Sequence, residues 1–334
     1  MVLHGQRVLV TGAAGLVGSN LIPRLVREGA SVRGTIHHTT PADSDDRVEY
    51  IKCDLARSED CEKVVEGVRY IFHCACQSAG AAARVAGPMA HVTSNVLINT
   101  QMLHAAHAAE VKKFVWLGST TAYPLSDNRP VKEEEILEGD PYPAYFFVGW
   151  EKRFMEILCK MYGEKLPRSM TTIVLRPTSI YGPNDDFEPA TSRVMAALIK
   201  KVVERHDPLE VWGTGRDIRD HVYVDDVVDA MLKAVEKIDS YAAFNIGSGK
   251  ACSVKEILQT ILEVEQYPNA TIVFDASKPT MIPIRVVDTT KAEAVLGFKT
   301  KTDLREGLQK TIDWYKKSYD MKEASSPSAA SITA

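Results

Sequence analysis

The chain has 334 residues, enough to bury a large core in one large or two interleaved domains. Charged residues make up 25% and hydrophobic residues 45%, and a net charge of -4 with dispersed Lys and Arg argues against nucleic acid or an anionic membrane as partner. No apolar stretch reaches the length of a membrane span, the start MVLHGQRVLV lacks a signal-peptide layout, and Cys53, Cys61, Cys74, Cys76, Cys159 and Cys252 show neither zinc spacing nor a disulfide framework. The cysteines read as small buried hydrophobes of a protein in the reducing cytoplasm.

The most informative stretch is VLVTGAAGLVG, residues 8–18. A β-branched run ends at Thr11 and breaks into Gly12, Gly15 and Gly18, spaced G-x-x-G-x-x-G, and the helical pattern SNLIPRLVREG follows at once. Glycine allows a sharp turn, a close backbone approach to a pyrophosphate and tight packing of helix on strand, while the helix N-terminus offers free N–H groups to the anion. Gly12, Ala14, Gly15, Leu16, Val17 and Gly18 are the candidate phosphate-binding set. A purely structural glycine turn is the alternative.

Further along, the strand-like segments SVRGTI, VEYIKCDL, YIFHCA, KFVWLGS and TTIVLRPT alternate with helix-like CEKVVEG, NVLINTQMLHAAHAA and the stretch 146–161. That alternation predicts an α/β, Rossmann-like doubly wound parallel sheet, with ligands beyond the carboxyl ends of its strands. After Tyr181 the regularity fades into a Pro/Asp-rich loop, YGPNDDFEP, a helix SRVMAALIKKVVER, a short strand LEVWG, then VYVDDVVDAMLKAVEK and FNIGSG. The expected organisation is a nucleotide-binding domain from residues 1–178 and 219–249, and a smaller α/β substrate domain from 179–218 and 250–320. A disordered tail is expected over 321–334, where the composition turns small and polar.

With these motifs placed, the chain resembles the extended short-chain dehydrogenase/reductase family of NAD(P)-dependent nucleotide-sugar epimerases and dehydratases, and within it the GDP-fucose synthase branch. The likeness runs from Arg7 to about Tyr315 through TGAAGLVG, CDL with Asp54, WLGSTTAYP, LRPTSIYGP, VWGTGRDIRDHVYVDD, NIGSG and FDASKP. It implies hydride transfer at a sugar carbon, most often C4, between a nicotinamide and a nucleotide-diphosphate sugar. Such enzymes use a Ser/Thr that bonds the sugar oxygen and a Tyr-x-x-x-Lys pair, the Tyr as acid/base and the Lys holding the cofactor ribose. Ser119 matches the first and Lys152 the last. Four residues before Lys152, where the Tyr belongs, stands Val148, which carries no proton. Tyr145 lies on the same helical face but about one turn, ~5 Å, further away. It would serve only if the helix start were unwound, and a surface or packing role is the expectation.

The resemblance adds Asp54, Leu55, Cys74, Ala75, Lys152 and Pro177 to the cofactor set, and Ser119, Thr120, Arg193, Lys201, Trp212, Arg219 and Lys278 to the substrate set. Asp54 reads equally as a turn cap, Trp212 as core, and Lys201 and Lys278 as solvated surface. Thr121 and Arg193 stand where the GDP-fucose synthase branch has a Cys and a His that shuttle protons, so double epimerisation at C3 and C5 is not expected. Thr120 and Thr121 also replace the Asp-Glu pair of the dehydratases. The second strand ends in His37 and His38 with no carboxylate to clamp an NAD ribose and no Arg or Lys for a 2′-phosphate, a balance leaning to NADP over NAD. A homodimer paired through the helices near 95–110 and 144–162 is implied as well. The competing expectation is a family member that binds cofactor and sugar nucleotide without turnover.

Overall fold

The computed structural model describes residues 2–77, 87–126 and 129–325. Its strands are β1 (Arg7–Thr11), β2 (Ser31–Ile36), β3 (Glu49–Lys52), β4 (Tyr70–His73), β5 (Lys113–Leu117), β6 (Thr171–Pro177), β7 (Ser179–Tyr181), β8 (Leu209–Trp212), β9 (Ile218–Arg219), β10 (His221–Tyr223), β11 (Ala242–Ile246), β12 (Cys252–Ser253), β13 (Ile272–Asp275) and β14 (Ile284–Arg285). The helices are α1 (Leu16–Arg27), α2 (Ser58–Val65), α3 (Pro88–Ala108), α4 (Phe146–Glu164), α5 (Val194–Val203), α6 (Val224–Lys237), α7 (Val254–Val264), α8 (Thr290–Leu296) and α9 (Leu304–Ser325).

Seven strands form one sheet in the order β11-β6-β5-β4-β1-β2-β3, and every neighbouring pair is parallel. Alternate residues along each strand feed opposite faces, as the pleat requires. Val8 and Val10 join the core that contains Leu21 and Leu25 of α1 and Val227 and Met231 of α6. Leu9, Ile71, Phe114 and Trp116 join the other, with Met102 of α3 and Met155 of α4. Both faces are thus covered, which is why these strands read as nearly continuous apolar runs. In α1, Val17, Leu21, Ile22 and Leu25 are buried at helical spacing, leaving Arg24 and Arg27 outward at its basic end.

The order in which strands are added reverses between β1 and β4, which run parallel with Thr11 as the register partner of His73. A crevice opens outside the carboxyl ends of strands at such a switch point. Beyond the sheet, β7 pairs with β10, β9 lies between β12 and β14, and β8 pairs with β13, while β11 returns to the edge of the main sheet.

Element ends differ from the sequence expectations in three places. The strand expected over VEYIKCDL is only Glu49–Lys52, and the helix expected from residue 95 starts at Pro88, a residue well suited to a first turn. The tail expected from residue 321 instead continues α9 to Ser325, and residues 326–334 lie outside the described residues. Among the described residues, no helix is long and apolar enough to cross a membrane.

Candidate active site

A cavity of about 300 Å³ sits at the switch point. Its floor is the glycine turn: Gly12, Gly15, Leu16, Val17 and Gly18 all line it. Gly12 has φ +68°, a conformation that suits glycine, and a Cβ there would lie 2.9 Å from Ala75 Cα. A Cβ on Gly18 would lie 2.2 Å from the Gly12 carbonyl oxygen, so α1 starts directly against the turn. The first turn of α1 has no acidic residue and no side-chain cap, leaving its N–H groups and the positive helix end for an anion. These features fit the pyrophosphate of a dinucleotide. Cys74, Ala75 and Pro177 also line the cavity, as the cofactor set requires.

The second wall carries the candidate reaction residues. Ser119, Thr121, Tyr145, Val148 and Lys152 line the same cavity. Ser119 Oγ accepts from the Thr121 N–H at 3.2 Å and from Thr121 Oγ1 at 3.0 Å, so its own O–H is the part left for a ligand. Thr120, beside it, is buried and does not line the cavity. Lys152 is buried on α4, with Nζ 3.4 Å from Glu151 Oε1, 3.8 Å from Cys76 Sγ and 5.2 Å from the Trp116 ring centroid.

Tyr145, for which the sequence expectation is a surface or packing role, lines the cavity. The regular helix begins only at Phe146, and the preceding residues Pro143–Tyr145 form a 3₁₀ turn. That tighter start leaves Tyr145 half-buried on the cavity wall.

A buried polar chain that sequence reasoning missed joins the two walls. Thr11 Oγ1 accepts the backbone N–H groups of Cys74 and Ala75, each at 3.1 Å, and so donates its own proton to His73 Nδ1 at 2.8 Å. His73 Nε2 then donates to Asn99 Oδ1 at 2.9 Å, and Asn99 Nδ2 to Glu151 Oε1 at 2.9 Å. Burial drives the His73 imidazole down to about 4, against the pull of the Asn99 bond, so it is neutral at pH 7. The sequence signal was a polar residue closing each of two apolar strands, Thr11 and His73.

Basic groups gather at the other end. Arg193 lines the cavity and pairs with Asp185 at 2.6 Å. Arg219 pairs with Asp217 at 3.4 Å and is the register partner of Arg285 across β9 and β14. Arg285 is buried; its Nη2 donates to the carbonyls of Tyr123 and Pro124, while Nε and Nη1 have no hydrogen-bond partner among the described residues. Burial pulls its guanidinium down to about 10, with Tyr145 and Tyr123 acting in the opposite direction. Sequence reasoning missed Arg285, although an Arg inside the apolar run PIRVV was the available sign. Its two orphaned N–H groups are shielded from solvent, and Arg285 stands behind the cavity lining rather than in it. His221 faces both Arg193 and Arg219, and burial followed by those charges drives it down to about 3.

Other sequence candidates stand away from the cavity lining. Lys201 Nζ donates to the Glu210 carbonyl at 2.7 Å. Trp212 is 40% exposed with Lys278 Nζ 5.9 Å from its ring centroid, an aromatic and a cation presented together. His37 and His38 are exposed beyond β2 with ring centroids 3.7 Å apart. Asp54 Oδ1 accepts the Ala56 N–H at 3.0 Å, a turn-capping contact, and Leu55 is buried behind it. Ala14 is half-buried in the glycine turn. The expectation that all cysteines are buried fails for Cys76, which is exposed at the cavity because its loop leaves β4 toward solvent. On α4 a further stripe of Phe146, Phe147, Trp150, Phe154, Ile157 and Met161 is exposed.

Comparison with known proteins agrees with this geometry. The model of the NAD dependent epimerase/dehydratase family matches residues 8–247. The chain is 30% identical over 318 residues to a probable GDP-L-fucose synthase 1 of Oryza sativa subsp. japonica, covering 93% of this chain and 92% of the relative. The fold superposes on the UDP-glucose 4-epimerase of Thermotoga maritima with TM-score 0.84 at 26% identity, covering 94% and 100% of the two chains. It also superposes on the UDP-glucuronic acid 4-epimerase of Bacillus cereus, solved with UDP-glucuronic acid and NAD, with TM-score 0.81 at 26% identity and the same coverage.

Proposed function

Because the chain belongs to the NAD-dependent epimerase/dehydratase family, we propose that it is an NAD(P)-dependent oxidoreductase or epimerase of a nucleotide-diphosphate sugar, GDP-linked, acting at sugar C4. The observation that carries this is the convergence of the glycine turn, Ser119 and Lys152 on one cavity at the switch point. A bound nicotinamide would supply hydride exchange with the sugar carbon. The residues of this chain do the rest. Gly12, Gly15 and the first turn of α1 hold the pyrophosphate, and Lys152 holds the adjoining ribose. Ser119 donates its O–H to the sugar oxygen at the reacting carbon.

Val148 cannot move a proton, and Tyr145 takes that task in this reading. It lines the cavity with Ser119 and lies within electrostatic reach of the Arg285 guanidinium. Its phenol gives a proton to the C4 oxygen on reduction and takes it back on oxidation. Arg193 and Arg219 grip the diphosphate, with Trp212 and Lys278 against the base, and Lys201 bracing the strand that carries Trp212. The substrate segment would be 179–218 with 250–320, closing over the nucleotide segment. Thr121 and Arg193 stand at the two positions that carry a thiol and an imidazole in the resembled branch, so epimerisation at C3 and C5 is not part of this reading. His37 and His38 receive the adenosine ribose, with NADP favoured, and Asp54 faces the adenine. The protein works in the reducing cytoplasm, and the exposed stripe of α4 pairs two copies into a homodimer, consistent with its concentrated aromatic surface.

A second reading, a cofactor and sugar-nucleotide binder without turnover, draws on Val148 alone. One experiment separates the two. The purified protein is incubated with GDP-mannose or a GDP-linked 4-keto-6-deoxy sugar and either reduced or oxidised nicotinamide, and both nicotinamide absorbance and sugar products are followed. Turnover of a GDP-sugar supports the enzyme, tight binding without products supports the binder, and no affinity for either cofactor overturns both.

A further inference from the structure

Lys152, which lines the cavity as Arg193 does, is paired with a buried carboxyl group that the reaction above does not use. Glu151 directly precedes Lys152 on α4; its side chain is fully shielded from solvent and its Oε1 stands 3.4 Å from Lys152 Nζ. The same oxygen is fixed by Asn99, which is fixed by His73 and the Trp116 indole N–H, so the carboxylate is held in place from two neighbouring strands and α3. Among the described residues, the other titratable, charged or aromatic groups facing Lys152 or lining the cavity around position 148 include Cys76, the Trp116 ring, His73, His91, Tyr145 and Arg193, none of them a carboxylate.

Val148 lies one turn before Lys152 on the same face of α4, so a side chain at 148 meets the field of that ammonium. An unscreened ammonium is what would draw the proton from a phenol placed there. Here a buried carboxyl group already stands 3.4 Å from that ammonium.

We infer that Glu151 is a positioning residue, whose buried carboxylate holds Lys152 in place and offsets its charge at position 148. The inference builds on the proposed role of Lys152, yet its electrostatic content can be read without cofactor or substrate. The absent Tyr and the present Glu151 then belong together: the charge arrangement of this cavity is one that works without a phenolate at 148.

The test introduces the phenol. Val148→Tyr and Val148→Tyr/Glu151→Gln proteins are labelled with ¹³C at tyrosine Cζ, and the one resonance absent from the parent spectrum is titrated. In the single variant it should titrate at about pH 10 or above, the ordinary tyrosine range or higher. Removing the carboxylate should lower that midpoint by about 1–3 pH units. A single variant whose added phenol already titrates well below the ordinary range, or a double variant with the same midpoint as the single, would overturn the inference. If the double variant does not fold, the single variant decides alone by the same criterion. Failure of sugar-nucleotide turnover would count against the proposed function and leave this titration unaffected.

Discussion

Gly18 sits against the Gly12 carbonyl so closely that a Cβ on Gly18 would stand 2.2 Å from that oxygen. The obstacle is backbone, which cannot rotate away. Gly18→Ala must therefore lift the start of α1 off the turn. Overpacking of this kind typically costs ~1–3 kcal/mol. The expected outcome is a lower midpoint in urea unfolding and at least tenfold weaker binding of NAD(P)H by fluorescence titration. Unchanged cofactor affinity would show that the turn does not hold the pyrophosphate.

Tyr145→Phe removes a single oxygen from the cavity wall. If that phenol moves the proton at C4, kcat should fall by ~10²–10⁴-fold while cofactor binding stays within a factor of two. Steady-state rates with the GDP-sugar that turns over, beside the fluorescence titration, give both numbers. A variant with parental kcat would assign the proton to another group.

Acid stability follows from two buried imidazoles. His73 and His221 are brought by burial from 6.5 to about 4 and about 3. Both are neutral in the folded chain where the unfolded chain already binds protons, so the unfolded state gains protons as pH falls below 6.5. Stability should thus be fully present above pH 6.5 and be lost between about 6.5 and 4 for His73 and about 6.5 and 3 for His221, each imidazole contributing ~1.4 kcal/mol per pH unit in its window. Urea unfolding at a series of pH values measures the slope, and His73→Asn should reduce it by one proton.

Phe154 and Trp150 lie in the exposed apolar stripe of α4. Phe154→Arg should convert a dimer to a monomer in sedimentation velocity with little change in the thermal midpoint of the monomer, because the side chain is already half open to solvent. A parent chain that sediments as a monomer would remove the proposed role of this face.

Local periodicity made the sheet legible. Val8, Leu9 and Val10 carry the β pattern, and Val17, Leu21 and Leu25 the helical one, without reference to anything distant. The glycine turn was legible because its spacing, its strand and its helix are contiguous. Arg285 was not, since its neighbour Arg219 arrives on a different strand and only the β9–β14 register brings them together. The 3₁₀ turn Pro143–Tyr145 ahead of α4 was not legible, because it sets how Tyr145 approaches the cavity without changing where the helical pattern begins. The polar chain from Thr11 to Glu151 depends on contacts among β1, β4, α3 and α4, which no single segment announces.

The pairing of β9 with β14 sets an order of assembly. All seven strands of the main sheet are present once Ile246 has been made, whereas Arg285 comes later, near the end of the chain. A nascent chain can therefore complete the glycine turn and its sheet before the second guanidinium exists. The glycine floor of the cavity is thus encoded in the early portion of synthesis, and the strand that pairs Arg285 with Arg219 is added afterwards.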